Sequence, residues 1–138
     1  MIEQVIKQWD ANKERLEQYF KTTAMSQYYS YDDIIREIIV DVLNHGDNGM
    51  NICEDFRVID DGDYQGTRIY ILRIDDYQPN VGEYIVTHTY YGSCSGCDTL
   101  QSIHMYDEGI PSDQQVKEFM TLSLHLVQKM SWLGNPYE

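Results

Sequence analysis

Apolar side chains in the first third of the chain recur every three or four residues, the period of a helix that buries one face. The first apolar stripe consists of Ile2, Val5, Ile6, Trp9, Leu16, Tyr19 and Phe20. A capping signal at Ser30 and Asp33 precedes the second stripe, which ends at His45 and Gly46. The second stripe consists of Ile34, Ile35, Ile38, Ile39, Val42 and Leu43. The pattern predicts two amphipathic N-terminal helices.

Beyond residue 50 the apolar period falls from about 3.6 to about 2, which indicates strands. We predict strands at 56–60, 67–75 and 83–92, separated by the turn-forming segments DGDYQG and DDYQPNVG. Both faces of 67–75 are largely apolar, which is typical of a central strand. The short connections favour an antiparallel meander, because parallel neighbours need crossovers of about a dozen residues or more.

The last third of the chain returns to helical spacing. DTLQSIHMY predicts a short helix with Asp98 as its N-cap, and Ser112 with Gln115 marks the start of a long helix that runs to the Gly-Asn-Pro at 134–136. The predicted fold class is α+β: two N-terminal helices, a three-stranded antiparallel meander, and a short helix and a long C-terminal helix packed on the sheet. Since the sequence has no linker or internal repeat, we expect a single domain over residues 1–138.

Charge is the strongest signal in the composition. The chain contains ten Lys and Arg residues and 23 Asp and Glu residues, which give a formal net charge of −13. No Lys or Arg lies between Arg73 and Lys117. Such a surface repels phosphate groups, which argues against direct binding of nucleic acid. It attracts a basic protein surface, including the groove of a nucleic-acid-binding protein. The alternative is that the charge only keeps the protein in solution.

Tyrosines are the second signal for an interaction surface. The chain has twelve of them, including the pairs at 28–29 and 90–91. Tyrosine is enriched at protein interfaces, although core packing and sheet propensity explain part of the number. The predicted protein-binding residues are Asp75, Asp76, Tyr77, Tyr90, Tyr91, Asp107 and Glu108.

Features of membrane and secreted proteins are missing from the sequence. No stretch approaches the roughly 20 apolar residues that cross a bilayer, and the first residues do not resemble a secretory signal. Three cysteines are an odd number, which argues against a disulfide framework. We expect no contact with a membrane and a cytoplasmic location.

The segment GSCSGCD at 92–98 contains part of a possible metal site. Cys94 and Cys97 are separated as two ligands of one tetrahedral metal would be, and His88 and His104 are the available nitrogen ligands. A small zinc-binding protein is therefore one alternative function. The competing interpretation is a glycine-rich turn in which both cysteines are small buried hydrophobes.

Two thiol chemistries are further alternatives for the same segment. A dithiol at a helix N-terminus has a lowered pKa, but the neighbouring Asp98 carboxylate would raise that of Cys97. Gly92, Cys94 and Gly96 also match a nucleophile elbow, which normally belongs to a parallel sheet. A thiol-dependent enzyme using Cys94 remains an alternative. We expect a structural turn and no cofactor, with zinc as the first exception to test.

EYIVTHTYYG running into GSCSGCD, followed by the helix after Pro111, resembles a family of small bacteriophage proteins that carry a YGSCSGCD segment. The resemblance covers the second half of the chain and brings no catalytic residue with it. It implies a phage accessory protein, a class that often binds and blocks a host protein, including nucleases of defence systems such as CRISPR effectors. We therefore expect a non-enzymatic protein that binds a basic host or phage protein in the host cytoplasm.

Overall fold

The computed structural model describes residues 2–62, 65–75, 84–92, 98–104 and 108–133, without the side chains of Ile2 and His104. Within these ranges the chain forms four α-helices and a four-stranded antiparallel sheet, which confirms the α+β class. The helices are α1 (Ile2–Thr22), α2 (Tyr31–Glu37), α3 (Thr99–His104) and α4 (Asp113–Gln128). The strands are β1 (Arg57–Asp60), β2 (Gly66–Arg73), β3 (Tyr84–Tyr91) and β4 (Ser131–Trp132). In the described part of the chain, no helix is both long and apolar enough to cross a membrane.

The second predicted helix is present but changes its winding. α2 continues directly into a π-helical segment, Ile38–Leu43, which packs against α1 and whose apolar side chains are buried except for the exposed Val40. Carbonyl groups at a helix end lack intrahelical donors. Gln8 of α1 supplies them, because its Nε2 donates to the carbonyl oxygens of Leu43 and His45, each at 3.0 Å. The side-chain amide of Gln8 therefore joins α1 to the end of the π-helical segment.

The sheet has the order β1-β2-β3-β4, with every neighbouring pair antiparallel. The three predicted strands form the expected meander, and the structure adds a fourth. The long C-terminal helix, predicted to run to 134–136, ends at Gln128, and Trp132 then pairs with Ile85 across β4 and β3. A two-residue strand is too short to show an alternating pattern, so periodicity could not reveal it.

The helices cover one face of the sheet. Tyr70 and Leu72 of β2 are fully buried beneath them, and the Thr87 hydroxyl of β3 donates to the Leu126 carbonyl oxygen of α4 at 2.7 Å. On the outer face Ile69 and Ile71 are only partly buried. The prediction of a central strand is confirmed, since β2 lies between β1 and β3, although none of the described elements packs on its outer face. Its apolar residues contact one another across neighbouring strands instead.

Both predicted capping signals are confirmed. The Ser30 amide donates to Asp33 Oδ2 at 2.9 Å at the start of α2. At the start of α4 the Gln115 amide donates to Ser112 Oγ at 3.2 Å, and the Ser112 amide donates to Gln115 Oε1 at 2.9 Å. These reciprocal bonds satisfy N–H groups that have no partner inside the helix. The cap at Ser30 lies at the start of α2, which forms one side of the site described next.

Candidate functional site

A cleft of about 310 Å³ opens between the N-terminus of α2, the β1–β2–β3 edge near Arg68 and the start of α3. We call it the tyrosine cleft. Its aromatic walls are Tyr28, Tyr29, Tyr31 and Tyr91. Its ionisable groups, apart from the tyrosines, are Asp32, Asp60, Asp98 and Arg68. It therefore combines an aromatic lining with an excess of carboxylates.

A short turn before α2 presents the first two tyrosines. The Tyr28 amide donates to Ser26 Oγ at 2.9 Å, and the Tyr29 amide donates to the Ser26 carbonyl oxygen at 3.1 Å. Tyr29 packs edge-on against Phe119, with ring centroids 6.0 Å apart, whereas the Tyr28 side chain is 81% exposed. The turn thus anchors Tyr29 in the core and leaves Tyr28 at the rim of the cleft.

Arg68 organises the polar wall of the cleft. It lies opposite Asp60 in the β1–β2 register, and its Nη1 donates to Asp60 Oδ2 at 2.8 Å. Its Nε and Nη2 donate to the two carboxylate oxygens of Asp32, at 2.9 and 2.8 Å. Bidentate pairs of this kind are among the stronger hydrogen bonds in proteins. Arg68 therefore ties α2 to two strands of the sheet.

Two tyrosine hydroxyls complete this network. Tyr70 donates to Asp32 Oδ1 at 2.5 Å, and Tyr91 lies 2.5 Å from Asp60 Oδ1. Burial opposes ionisation of Asp32, but the hydrogen bonds from Arg68 and Tyr70 outweigh it and lower the pKa of its carboxyl group. The hydrogen bond from Tyr91, with those from the Gly62 amide and Arg68, lowers the pKa of Asp60. Both carboxylates are consequently ionised at neutral pH.

The tyrosine hydroxyls themselves stay protonated. The hydrogen bond to Asp60 raises the pKa of Tyr91 to about 12. Burial raises the pKa of Tyr31, and the charge of the neighbouring Asp98 carboxylate raises it further. Burial likewise raises the pKa of Tyr70, next to Asp32. The aromatic walls are therefore neutral rings beside charged carboxylates.

Asp98 caps α3, as the sequence predicts, and also closes the floor of the cleft. Its Oδ1 accepts from the Gln101 amide at 3.1 Å and from the Tyr31 hydroxyl at 2.9 Å, and its Oδ2 accepts from the Gly92 amide at 3.0 Å. Asp98 is only 5% exposed, and no Lys or Arg of the described residues pairs with it. A buried carboxylate without a counter-ion is costly, and here three hydrogen bonds compensate it.

The charges of the cleft do not balance. Three carboxylates, those of Asp32, Asp60 and Asp98, face one guanidinium, that of Arg68, which leaves a net charge of −2 among the described groups, apart from the neutral tyrosines. The Asp32 side chain is partly buried, so its charge is less screened than one on an open surface, whereas Asp60 is exposed. The cleft is therefore suited to a cation and unsuited to an anion.

The predicted protein-binding residues lie in separate places. Tyr91 lines the cleft, whereas Tyr90 lies on the outer face of the sheet and is 53% exposed. Asp75 follows the far end of β2, on the order of 20 Å along the strand from Arg68. Exposed Glu108 precedes Gly109, whose amide donates to the Met25 carbonyl oxygen at 3.0 Å, close to the turn that carries Tyr28. The remaining predicted residues, Asp76, Tyr77 and Asp107, lie outside the described residues.

The predicted metal ligands are only partly within the described residues. Cys94, Cys97 and the His104 side chain lie outside them, and His88 is exposed on the outer face of β3. Within the described ranges, no group of three or more His, Cys, Asp or Glu side chains is arranged to hold a metal. Zinc binding and thiol chemistry at Cys94 therefore stay predictions.

Sequence reasoning missed the centre of the cleft. Asp32 and Arg68 are 36 positions apart, so no local pattern connects them. The two tyrosine pairs were the available signal, because one member of 90–91 and both members of 28–29 meet in the cleft. No protein family, curated protein or solved structure matches this chain. The function has to be inferred from these contacts.

Proposed function

We propose that this chain is a non-enzymatic binding protein whose tyrosine cleft receives part of a basic protein. The observation that carries the proposal is a cleft of about 310 Å³ with four tyrosine walls and a net charge of −2. The net charge of −13 over the whole chain adds long-range attraction to the same class of partner. Direct binding of nucleic acid is disfavoured for the same reason.

The tyrosines supply the contact area that such binding requires. Tyr28 is 81% exposed, an unusual position for a large aromatic side chain and one typical of residues that anchor a partner. Tyr31 and Tyr91 are held by hydrogen bonds to Asp98 and Asp60, so they lose little conformational entropy when a partner binds. A wall that is already ordered supports tighter binding per unit of buried area.

The same contacts argue against catalysis by the described cleft residues. Asp32 and Asp60 are weak bases because their pKa values are lowered, and each is bonded to Arg68 and a tyrosine. The pKa of Tyr91 is raised to about 12, which makes its hydroxyl a poor nucleophile at neutral pH. Strong mutual pairing of this kind is suited to a rigid binding surface.

The resemblance of the segment around GSCSGCD to small phage proteins supports a phage origin. The partner would then be a basic host protein met in the host cytoplasm, such as a nucleic-acid-binding or defence protein. Blocking its nucleic-acid groove with an acidic surface is the corresponding inhibitory mechanism.

An affinity experiment with matched variants tests the proposal. The immobilised wild-type chain and the Tyr28→Ala and Tyr90→Ala variants are incubated with bacterial lysate at low salt and eluted with about 0.5 M NaCl, which screens exposed charges. Tyr90 is the control, because it is an exposed tyrosine on the opposite face of the sheet. We expect the wild type and Tyr90→Ala to capture the same basic protein, and Tyr28→Ala to retain clearly less of it.

Three results would count against this function. The first is the absence of any captured protein at low salt. The second is a captured protein that is acidic or that resists the high-salt elution. The third is equal retention by Tyr28→Ala and Tyr90→Ala, which would place the binding surface elsewhere.

A further inference from the structure

We propose that the tyrosine cleft is an anchor site for a single guanidinium group, the side chain of an arginine that projects from the partner. The inference rests on the proposed function and specifies its ligand. It is carried by three features of the cleft: unused acceptor capacity on its carboxylates, four tyrosines in its lining, and an arginine of the chain itself already held between two of the carboxylates.

The first feature is acceptor capacity. An ionised carboxylate offers about four lone-pair sites. Asp32 Oδ2 accepts one described hydrogen bond, from Arg68, and so does Asp60 Oδ2. Asp98 Oδ2 accepts one, from the Gly92 amide. Asp32 and Asp60, which are less buried than Asp98, therefore each have an oxygen with lone pairs that no described hydrogen bond uses, and a guanidinium carries five N–H groups.

The second feature is the aromatic lining. Tyr28, Tyr29, Tyr31 and Tyr91 contribute to one cleft of about 310 Å³. A guanidinium is planar, stacks on aromatic faces and is less strongly hydrated than an ammonium group, so it enters such a site at a lower desolvation cost. A lining that combines carboxylates with tyrosine rings offers partners both for the N–H groups and for the flat faces of the ion.

The third feature is Arg68, which shows that this environment accommodates a guanidinium. Three of its nitrogens donate to Asp32 and Asp60 at 2.8–2.9 Å. All three nitrogens of Arg68 already donate, which leaves two of its five N–H groups, and an anionic ligand would also meet the net negative charge of the cleft. A phosphate or a carboxylate is therefore the wrong ligand class, and a second cation is the right one.

The experiment uses two small probes of nearly equal shape. Nα-acetyl-arginine amide and Nα-acetyl-citrulline amide are titrated into the ¹⁵N-labelled full chain, and the backbone amide shifts are followed by NMR. Citrulline replaces the charged guanidinium by a neutral, planar urea. We expect the arginine probe to shift the amides of Tyr29, Gly92 and Leu100, with citrulline binding about five- to thirtyfold more weakly. The corresponding lysine amide is expected to bind more weakly than arginine.

Variants at the rim separate the cleft from the rest of the surface. Tyr28→Ala should weaken arginine binding about two- to fivefold, whereas Tyr28→Phe, which keeps the ring, and Tyr90→Ala on the outer face should leave it within about twofold. Tyr28 is chosen because its side chain is highly exposed, so we expect the variant to fold normally and any loss of binding to come from the missing ring.

Equal binding of arginine and citrulline, shifts confined to residues outside the cleft, or lysine binding at least as tight as arginine would overturn the guanidinium assignment. Each of these results leaves the affinity experiment with the whole partner unaffected. Salt-sensitive capture that depends on Tyr28 without arginine preference would therefore reject the anchor and keep the binding function. Preference for arginine without any captured protein would keep the guanidinium site and reject the proposed binding of a basic protein.

Discussion

At the scale of single residues, Glu37 is a carboxyl group whose pKa the fold raises strongly. It ends α2 and is only partly exposed. Burial, with the hydrogen bond to Asp41 and its charge, raises the pKa of Glu37 from its ordinary 4.5 to about 7. The charge of Glu54 acts in the same direction, while Arg36 opposes it. The folded chain therefore binds this proton more tightly than the unfolded chain.

A raised pKa in the folded state gives stability that is present at low pH and lost as pH rises. Between about pH 4.5 and 7 the folded state holds more protons at Glu37, so the contribution of this residue to the free energy of unfolding falls across that window. Glu37→Gln removes the effect, and we expect the variant to be more stable than the wild type at pH 8, with a smaller difference at pH 4.5.

Urea unfolding at the two pH values measures the difference between Glu37→Gln and the wild type. Glu14→Gln on the exposed face of α1 is the control for the loss of one carboxylate from a helix surface. A Glu37→Gln difference that is the same at both pH values would show that the carboxyl group titrates normally in the folded chain.

At the scale of secondary-structure elements, Arg68 joins three of them. Its guanidinium holds Asp32 at the start of α2 and Asp60 at the end of β1 from its own position on β2. The side chains of Arg68 and Asp32 are each 28% exposed. Pairs of this partly buried kind contribute more than surface pairs, because removing one partner leaves the other charge without compensation.

We expect Arg68→Met to lower the free energy of unfolding by about 1–3 kcal/mol, since Asp32 and Asp60 would then face each other without a counter-ion. Arg73→Met is the matched control on the same strand. Its pair with Asp55 is longer, 3.4 Å, and more exposed, so little change is expected. Urea unfolding measures the free energy of unfolding of both variants. Equal losses in the two would mean that the cleft network is no stronger than a surface pair.

At the scale of the whole molecule, the net charge of −13 is the dominant property. Excess charge of one sign destabilises a compact chain by self-repulsion, and salt screens that repulsion over about 10 Å at 0.1 M. The favourable pairs around Arg68 are short and partly buried, so they are screened less. Because salt screens the overall repulsion more than it screens these pairs, we predict that moderate salt stabilises this protein.

We expect the melting temperature to rise by about 2–5 °C when NaCl increases from about 0.02 to about 0.3 M. A triple variant that neutralises the exposed Asp10, Glu14 and Asp47 changes the net charge from −13 to −10, since three negative charges are removed. Its melting temperature should depend less on salt. Scanning calorimetry of both chains supplies the comparison, and a fall of the wild-type melting temperature with salt would show that attractive pairs dominate.

Local signals in the sequence determined the helices, the three longer strands and three helix caps. Hydrophobic periodicity and cap chemistry act between residues a few positions apart, so they are visible without the fold. The caps at Ser30 and Ser112 and the N-cap Asp98 are all present as the sequence predicts. The negative charge of the chain is also a property of composition.

Only the tertiary structure decided where these groups meet. Asp32, Asp60, Arg68 and Tyr91 come from α2 and three strands, and their hydrogen bonds span 8 to 36 positions of sequence. It also decided which face of β3 packs against the helices, so that Tyr91 and not Tyr90 lines the cleft, and that β4 exists at all. The physical reason is that contacts between distant segments depend on how whole elements pack and pair, which local periodicity does not encode.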